Sequence, residues 1–159
     1  MDHVSHTLRA ADMSRYASAF ASRATAQARL PLDFSGTSLR IVDRVVDGLR
    51  RGGDDPVAAA PILHELGAYV GEVLVRQARA RWVDFDAATS ELFRQPVGVR
   101  MPDGLAWNPL GKVVNRFELG PDESAYEFFL LLPGRARRPP LSRGAADDRR
   151  PRKVKHWTA

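Results

Sequence analysis

The chain has 159 residues, a formal net charge of +5 and no cysteine. That length points to one domain, and the composition excludes disulfides, thiolate metal sites and cysteine nucleophiles. The charge is uneven: residues 133–159 carry nine Lys/Arg against two Asp, whereas residues 1–132 carry 15 Lys/Arg against 17 Asp/Glu, so the basic character that would suggest a nucleic-acid-binding domain belongs to the C-terminal end.

Met1-Asp2-His3 lacks the basic start and apolar run of a signal peptide, and no apolar run approaches the roughly 20 residues that span a bilayer. Both features, with the absence of cysteine, predict a cytoplasmic protein. Residues 8–29 predict one helix, with Leu8, Tyr16, Phe20, Ala24 and Gln27 near helical spacing. This thin apolar face suits a peripheral helix. Leu30-Pro31 ends it, because a residue before proline avoids the helical region.

A second helix is predicted from Thr37 or Ser38 to the Gly52-Gly53 stop. Leu39, Val42, Val46 and Leu49 form its inner stripe, with Asp43 and Asp47 among the outer charges. Asp55-Pro56 then supplies a cap and a first-turn proline for a third helix reaching about Arg79. Its wide apolar face, from Ile62 to Leu74, predicts the central helix. Gly67 and Gly71 interrupt that face. Each costs about 1 kcal/mol relative to alanine in a helix interior, a cost that predicts close approach of another backbone.

The period then changes to two. Residues 81–85 read as a strand, residues 97–101 as another, and Leu105-Ala106-Trp107 as a short third after the Pro102-Asp103-Gly104 turn. Asn108-Pro109 starts a helix that Gly120 ends, and Pro121-Asp122 starts a last one. The run Tyr126 to Leu132 is so apolar that it predicts burial on more than one side, with a strand over 126–132 as the alternative. The fold class is therefore α+β: four to five helices around a small antiparallel β-meander, in a single domain over 1–132. Residues 133–159 have too few hydrophobes to offset their ordering entropy and predict a disordered, flexible basic tail.

Residues 36–75 and 108–118 resemble a family of small bacterial proteins of unknown function. Three stretches carry the resemblance: Ser38-Leu39-Arg40-Ile41-Val42-Asp43, Leu66-Gly67-Ala68-Tyr69-Val70-Gly71-Glu72-Val73 and Asn108-Pro109-Leu110-Gly111-Lys112-Val113. The resemblance implies no catalytic residues. It implies a family domain over 30–132, with the tail as an individual addition.

The chemistry-bearing candidates are few. His64-Glu65 fails the zinc pattern that needs a second histidine four residues on, where Ala68 stands, so no metal is expected. No nucleophile elbow, phosphate loop or dinucleotide fingerprint is present, and no cofactor is expected. Glu72 lies in the helix expected to be most buried and would need a cation or donors there. Lys112 is the only lysine before residue 133. Tyr69, Glu72, Asn108 and Lys112 are therefore candidates for one pocket that takes a small polar or anionic group at the Asn108-Pro109 helix start. The plainer alternative is a buried ion pair joining two helices, with Asn108 as an ordinary cap.

In the tail, Arg149, Arg150, Arg152, Lys153, Lys155 and Trp157 could hold a polyanion by counterion release and stacking. The leading expectation is a non-enzymatic interaction or accessory module that binds a protein partner. The alternatives are electrostatic nucleic-acid binding through the tail, and a small-molecule or catalytic site centred on Glu72 and Lys112. The residues do not specify an oligomeric state.

Overall fold

A computed structural model describes residues 8–132. The basic C-terminal segment and its candidate residues lie outside the described residues, as do positions 1–7. The described part is built from α1 (Ala10–Ala28), α2 (Leu39–Gly52), α3 (Pro56–Ala78), β1 (Arg81–Asp84), α4 (Ala87–Phe93), β2 (Val97–Arg100), β3 (Ala106–Trp107), α5 (Pro109–Leu119) and α6 (Ala125–Leu131). Short 3-10 turns at Gly36–Ser38 and Pro121–Glu123 precede α2 and α6. The three strands form one antiparallel sheet in the order β1-β2-β3, with Trp82 opposite Val99 and Val99 opposite Trp107. The architecture is α+β, a helical body carrying a small meander.

α3 is the axis. The Asp55 carboxylate accepts the Val57 and Ala58 N–H groups at 3.2 Å each, satisfying two first-turn donors. Leu63, Leu66, Tyr69, Val70, Val73 and Leu74 are buried, and α1, α2 and α5 pack around them. The helix has the length and mean hydropathy, 23 residues and 1.2, to cross a bilayer. Its apolar surface is instead occupied by the rest of the fold, as expected of a core helix. Gly67 does what its cost required: a Cβ there would lie 2.6 Å from Leu110 Cα. The backbone of α5 thus rests directly on α3. At Gly71 the space is taken by the Trp82 ring and Pro109.

Several local expectations are corrected. Of the expected α1 line Leu8, Tyr16, Phe20, Ala24 and Gln27, Phe20 is buried, Leu8, Tyr16 and Ala24 are partly buried and Gln27 is exposed, while Met13, Ala17 and Ala21 complete the buried face. Alanine reads as filler in a sequence, but here Ala17 permits close packing. Met13 and Ala17 form a separate apolar cluster with Ala68, Val97 and Leu110, so α1 is more than a peripheral cover. A sixth helix, α4, joins the five expected. It is seven residues long, too short for periodicity to show, and its start is marked only by Asp86 accepting the Thr89 N–H at 2.7 Å.

α6 is helical, but it begins at Ser124 rather than Pro121, with Ser124 Oγ accepting the Glu127 N–H at 3.1 Å. It buries a single stripe of Ala125, Phe129 and, just past its end, Leu132. Leu131 is 71% exposed. A helix of seven residues docks along one line, whatever its composition.

Candidate functional site

The four residues expected to form one pocket are distributed over separate networks. Tyr69 is fully buried. Its hydroxyl lies 2.6 Å from Ser38 Oγ and accepts the Phe34 N–H at 2.9 Å. Burial pushes the Tyr69 pKa up, an effect those two hydrogen bonds oppose. Phe34 has a positive φ of 59°, a strained conformation for a non-glycine residue. The Tyr69 hydroxyl on its N–H, and Gln77 Nε2 donating to its carbonyl at 3.0 Å, hold it there. The Phe34 ring stacks on Tyr69 at 4.9 Å between centroids, and the Arg76 guanidinium sits 3.7 Å above the Phe34 centroid.

Glu72 continues this seam. Its carboxylate accepts Arg76 Nε at 2.9 Å, Ser14 Oγ at 2.8 Å and Trp82 Nε1 at 3.1 Å. The partner of Glu72 is therefore Arg76, one turn along the same helix, and not Lys112. The donors it needs come from α1 and β1 as well as α3, so the carboxylate ties three elements together. A buried carboxylate with each oxygen hydrogen-bonded is stable where it stands.

Asn108 and Lys112 belong to the other side of α3. Asn108 Oδ1 accepts the Gly111 N–H at 2.8 Å, and its Nδ2 donates to the Phe93 carbonyl at 3.0 Å. It caps α5 and anchors the end of α4. Lys112 Nζ pairs with Glu123 at 2.7 Å and lies 5.6 Å from the Phe128 ring centroid. The expectation that Tyr69 and Glu72 share a pocket with Asn108 and Lys112 is corrected accordingly. Trp82 and Pro109, packed into the notch at Gly71, stand where the two sides meet.

Two further polar ties escaped the sequence reading. Asp43, expected on the outer face of α2, is buried at 9% exposure. It accepts Ser124 Oγ at 2.6 Å and the Ala125 and Tyr126 N–H groups at 2.9 and 3.4 Å, fastening the start of α6 to α2. Asp47 receives both Arg116 Nε and Nη2, at 3.1 and 2.8 Å. A bidentate pair of this kind fixes orientation as well as distance. The signal for either tie was the partner, which lies more than 65 residues away in the chain. His64 is half-buried, and Glu65 beside it pairs with Arg23 of α1. Asp33 and Asp86 are held below the usual carboxylate range by hydrogen bonds from Ser35 and Thr89. Both serve local turns and caps.

One polar group stands apart. Trp107 Nε1 is buried and has no hydrogen-bond partner among the described residues. An unsatisfied buried donor of this kind costs about 1–3 kcal/mol. Trp107 also forms a wall of a shallow crevice of about 10 Å³, lined otherwise by Asn108, Pro109, Lys112 and Phe128. The Trp107 and Phe128 rings meet edge to face, 5.0 Å apart and inclined at 68°. Asn108 and Lys112 were legible as candidates; Trp107 and Phe128 read only as strand and core residues.

The charged wall of the crevice is Lys112, paired with Glu123. Residues 117–132 contain Glu118, Asp122, Glu123 and Glu127 and no Lys or Arg. Glu118, Asp122 and Glu127 are exposed. The crevice thus presents two aromatic rings in contact and a buried indole donor with no partner among the described residues. Compared with protein-family models, with curated proteins and with solved structures, the chain matches none.

Proposed function

We propose that this chain is a non-enzymatic, cytoplasmic interaction module, and that it binds a protein partner by seating an extended segment across the Trp107–Phe128 face, at the mouth of the crevice. The observation that carries the reading is the coincidence of the unpartnered Trp107 Nε1 with an aromatic crevice. The other buried polar groups described above are engaged in ties between elements, the pattern of structural rather than reactive groups.

Size argues against a metabolite: small-molecule pockets run to about 300–1,000 Å³, far above the about 10 Å³ of this crevice. Aromatic-lined grooves that receive extended segments commonly combine flat apolar walls with donors to backbone carbonyls. The family resemblance is retained within this proposal. Its two helix motifs meet where Leu110 rests on Gly67, which supports reading them as one packing unit that presents Trp107 and Asn108.

The test is affinity capture from native lysate after nuclease treatment, with the full chain and its Trp107→Leu variant compared at matched thermal stability. A protein retained by the former and lost by the latter is expected. Capture indifferent to Trp107 would overturn the reading. Capture abolished by nuclease would transfer it to nucleic-acid binding through the basic C-terminal segment.

A further inference from the structure

We propose that α2 carries a second binding surface: a ridge of Arg40, Arg44 and Arg51 around the bare backbone of Gly48 that seats the phosphate backbone of a nucleic-acid duplex. It shares no residue with the Trp107–Phe128 crevice and does not rest on that reading.

The ridge exists because the fold sorts the charges of α2. The helix contains four arginines and two aspartates, a mixture that the sequence alone presents as a balanced, solvated face. Both acids are taken up by the fold. Asp43 is buried on Ser124 and the first N–H groups of α6. Asp47 stands between Arg44 and Arg51 on the helix surface, but Arg116 grips both its oxygens. Arg50 turns away to donate to the Arg116 carbonyl at 3.0 Å. Arg40, Arg44 and Arg51 are left outward, and all three are exposed. At 3.6 residues per turn they fall, with Gly48, within about 80° of arc, opposite Val42 and Val46. None of the three pairs with a carboxylate among the described residues. Arg40 is held 4.4 Å above the Tyr126 ring centroid. Like charges one turn apart, as Arg40 and Arg44 are, weaken a helix, so this arrangement is not made for stability.

Gly48 supplies the geometry. It is not among the glycines with positive φ, and a Cβ there would meet nothing within 4 Å. Neither backbone conformation nor packing calls for glycine, although glycine weakens a helix interior. It stands one turn after Arg44 and one turn before Arg51. With no side chain at that point, a phosphate strand can lie against the helix backbone within reach of both guanidiniums.

The occupant follows from what the arc contains and lacks. Arginine presents a planar fork that matches phosphate oxygens. A protein interface would centre on buried aromatic or aliphatic anchors, and the arc has none: Ile41, Val45 and Leu49 are partly buried against the core. A single strand would need open aromatic rings on which bases stack, and the neighbouring Tyr126 is already covered by Arg40. A duplex needs neither. From Arg40 to Arg51 the helix rises about 16 Å, a length over which a duplex carries about ten phosphate charges. Contacts of this kind position the duplex without reading its bases.

The test is fluorescence anisotropy of a labelled DNA duplex of mixed sequence, titrated with the full chain over a series of salt concentrations. The native chain is expected to bind, with affinity that falls steeply as salt rises. In Arg44→Gln/Arg51→Gln the slope of log affinity against log salt is expected to shrink by about 2, one for each lost phosphate contact, at an unchanged melting temperature. Gly48→Gln fills the notch without altering charge. It is expected to raise the melting temperature and yet weaken duplex binding several-fold, a combination that a purely structural glycine would not give. A double variant with the native slope, or a Gly48→Gln chain with native affinity, would overturn the proposal. So would a slope that falls only in Arg149→Gln/Arg150→Gln, which would assign duplex binding to the C-terminal segment. Failure of the native chain to bind the duplex, with a nuclease-resistant acidic protein captured through Arg44 and Arg51 instead, would overturn it in favour of a protein ligand.

Discussion

Gly67 and Gly48 both interrupt a helix, yet they answer to opposite forces. At Gly67 a methyl group would meet Leu110 Cα at 2.6 Å, and backbone cannot rotate away. Gly67→Ala is expected to lower stability by about 1–3 kcal/mol, the cost of overpacking, despite the gain in helix propensity. At Gly48 a Cβ meets nothing within 4 Å, so Gly48→Ala should raise stability by about 1 kcal/mol. Urea titrations of the two variants check the contrast. Asp43 is a second decisive residue. Asp43→Ala leaves Ser124 Oγ and the first N–H groups of α6 without their acceptor, and a loss of about 2–4 kcal/mol is expected from the several bonds removed. If α6 melted with the rest of the fold unaffected, as read by amide exchange, Asp43 would be shown to hold only that helix.

Tyr69 contributes a pH dependence whose sign follows from its burial. Its pKa is raised in the fold, so above the ordinary tyrosine value near 10 the unfolded chain loses its proton first. The stability contribution is complete below that pH and is lost as pH climbs towards the folded value. Tyr69→Phe should therefore be less stable at neutral pH, by about 1 kcal/mol for its hydrogen bonds, and should lose less stability above pH 10 than the native chain. Chemical denaturation at pH 8 and pH 11 measures both. Tyr16, also raised by burial and by Glu65, contributes to the native slope and remains in the variant, so the slope should be reduced rather than abolished.

At the scale of elements, what was legible followed from length and punctuation. α3 showed itself through Asp55-Pro56, a long apolar face and its glycines, and α2 through a clean stripe closed by Gly52-Gly53. The strands showed through their alternation and the Pro102-Asp103-Gly104 turn. α4 was hidden because it has no buried residue at all, so nothing periodic marks it. α1 was placed correctly and its face read in part: Phe20 is buried as expected, but Met13, Ala17 and Ala21 were missed, two of them because alanine is equally at home inside and outside. α6 misled by sheer composition. Its exposed Leu130 and Leu131 continue an apolar run whose inner members are spaced three and four apart. The candidate site was half legible. Asn108 and Lys112 announced themselves as a cap and an isolated cation, but Trp107 and Phe128 become a pair only when β3 and α6 are brought together, 21 residues apart in sequence. Glu72 was correctly singled out as needing donors, and its donors proved to be Ser14, Trp82 and Arg76, two of them distant in the chain.

At the scale of the whole molecule, charge is partitioned along the chain: an acid-only stretch at 117–132 abuts a strongly basic end. If that juxtaposition stabilises the fold, raising salt from about 0.05 to 0.5 M, which shortens the screening length from about 14 to 4 Å, should lower the melting temperature of the native chain. It should do so less in a variant with Glu123 and Glu127 changed to Gln. The central claim is that binding occurs at the Trp107–Phe128 crevice and that the buried polar network only supports it. The most direct test is site-specific photo-crosslinking in native lysate. One reactive side chain replaces Leu105, exposed and two residues before Trp107; a second replaces Val57, exposed at the start of α3. A discrete protein adduct formed from position 105 and absent from position 57 is predicted. Adducts that are equal from both positions, or that appear only from position 57, would contradict the account.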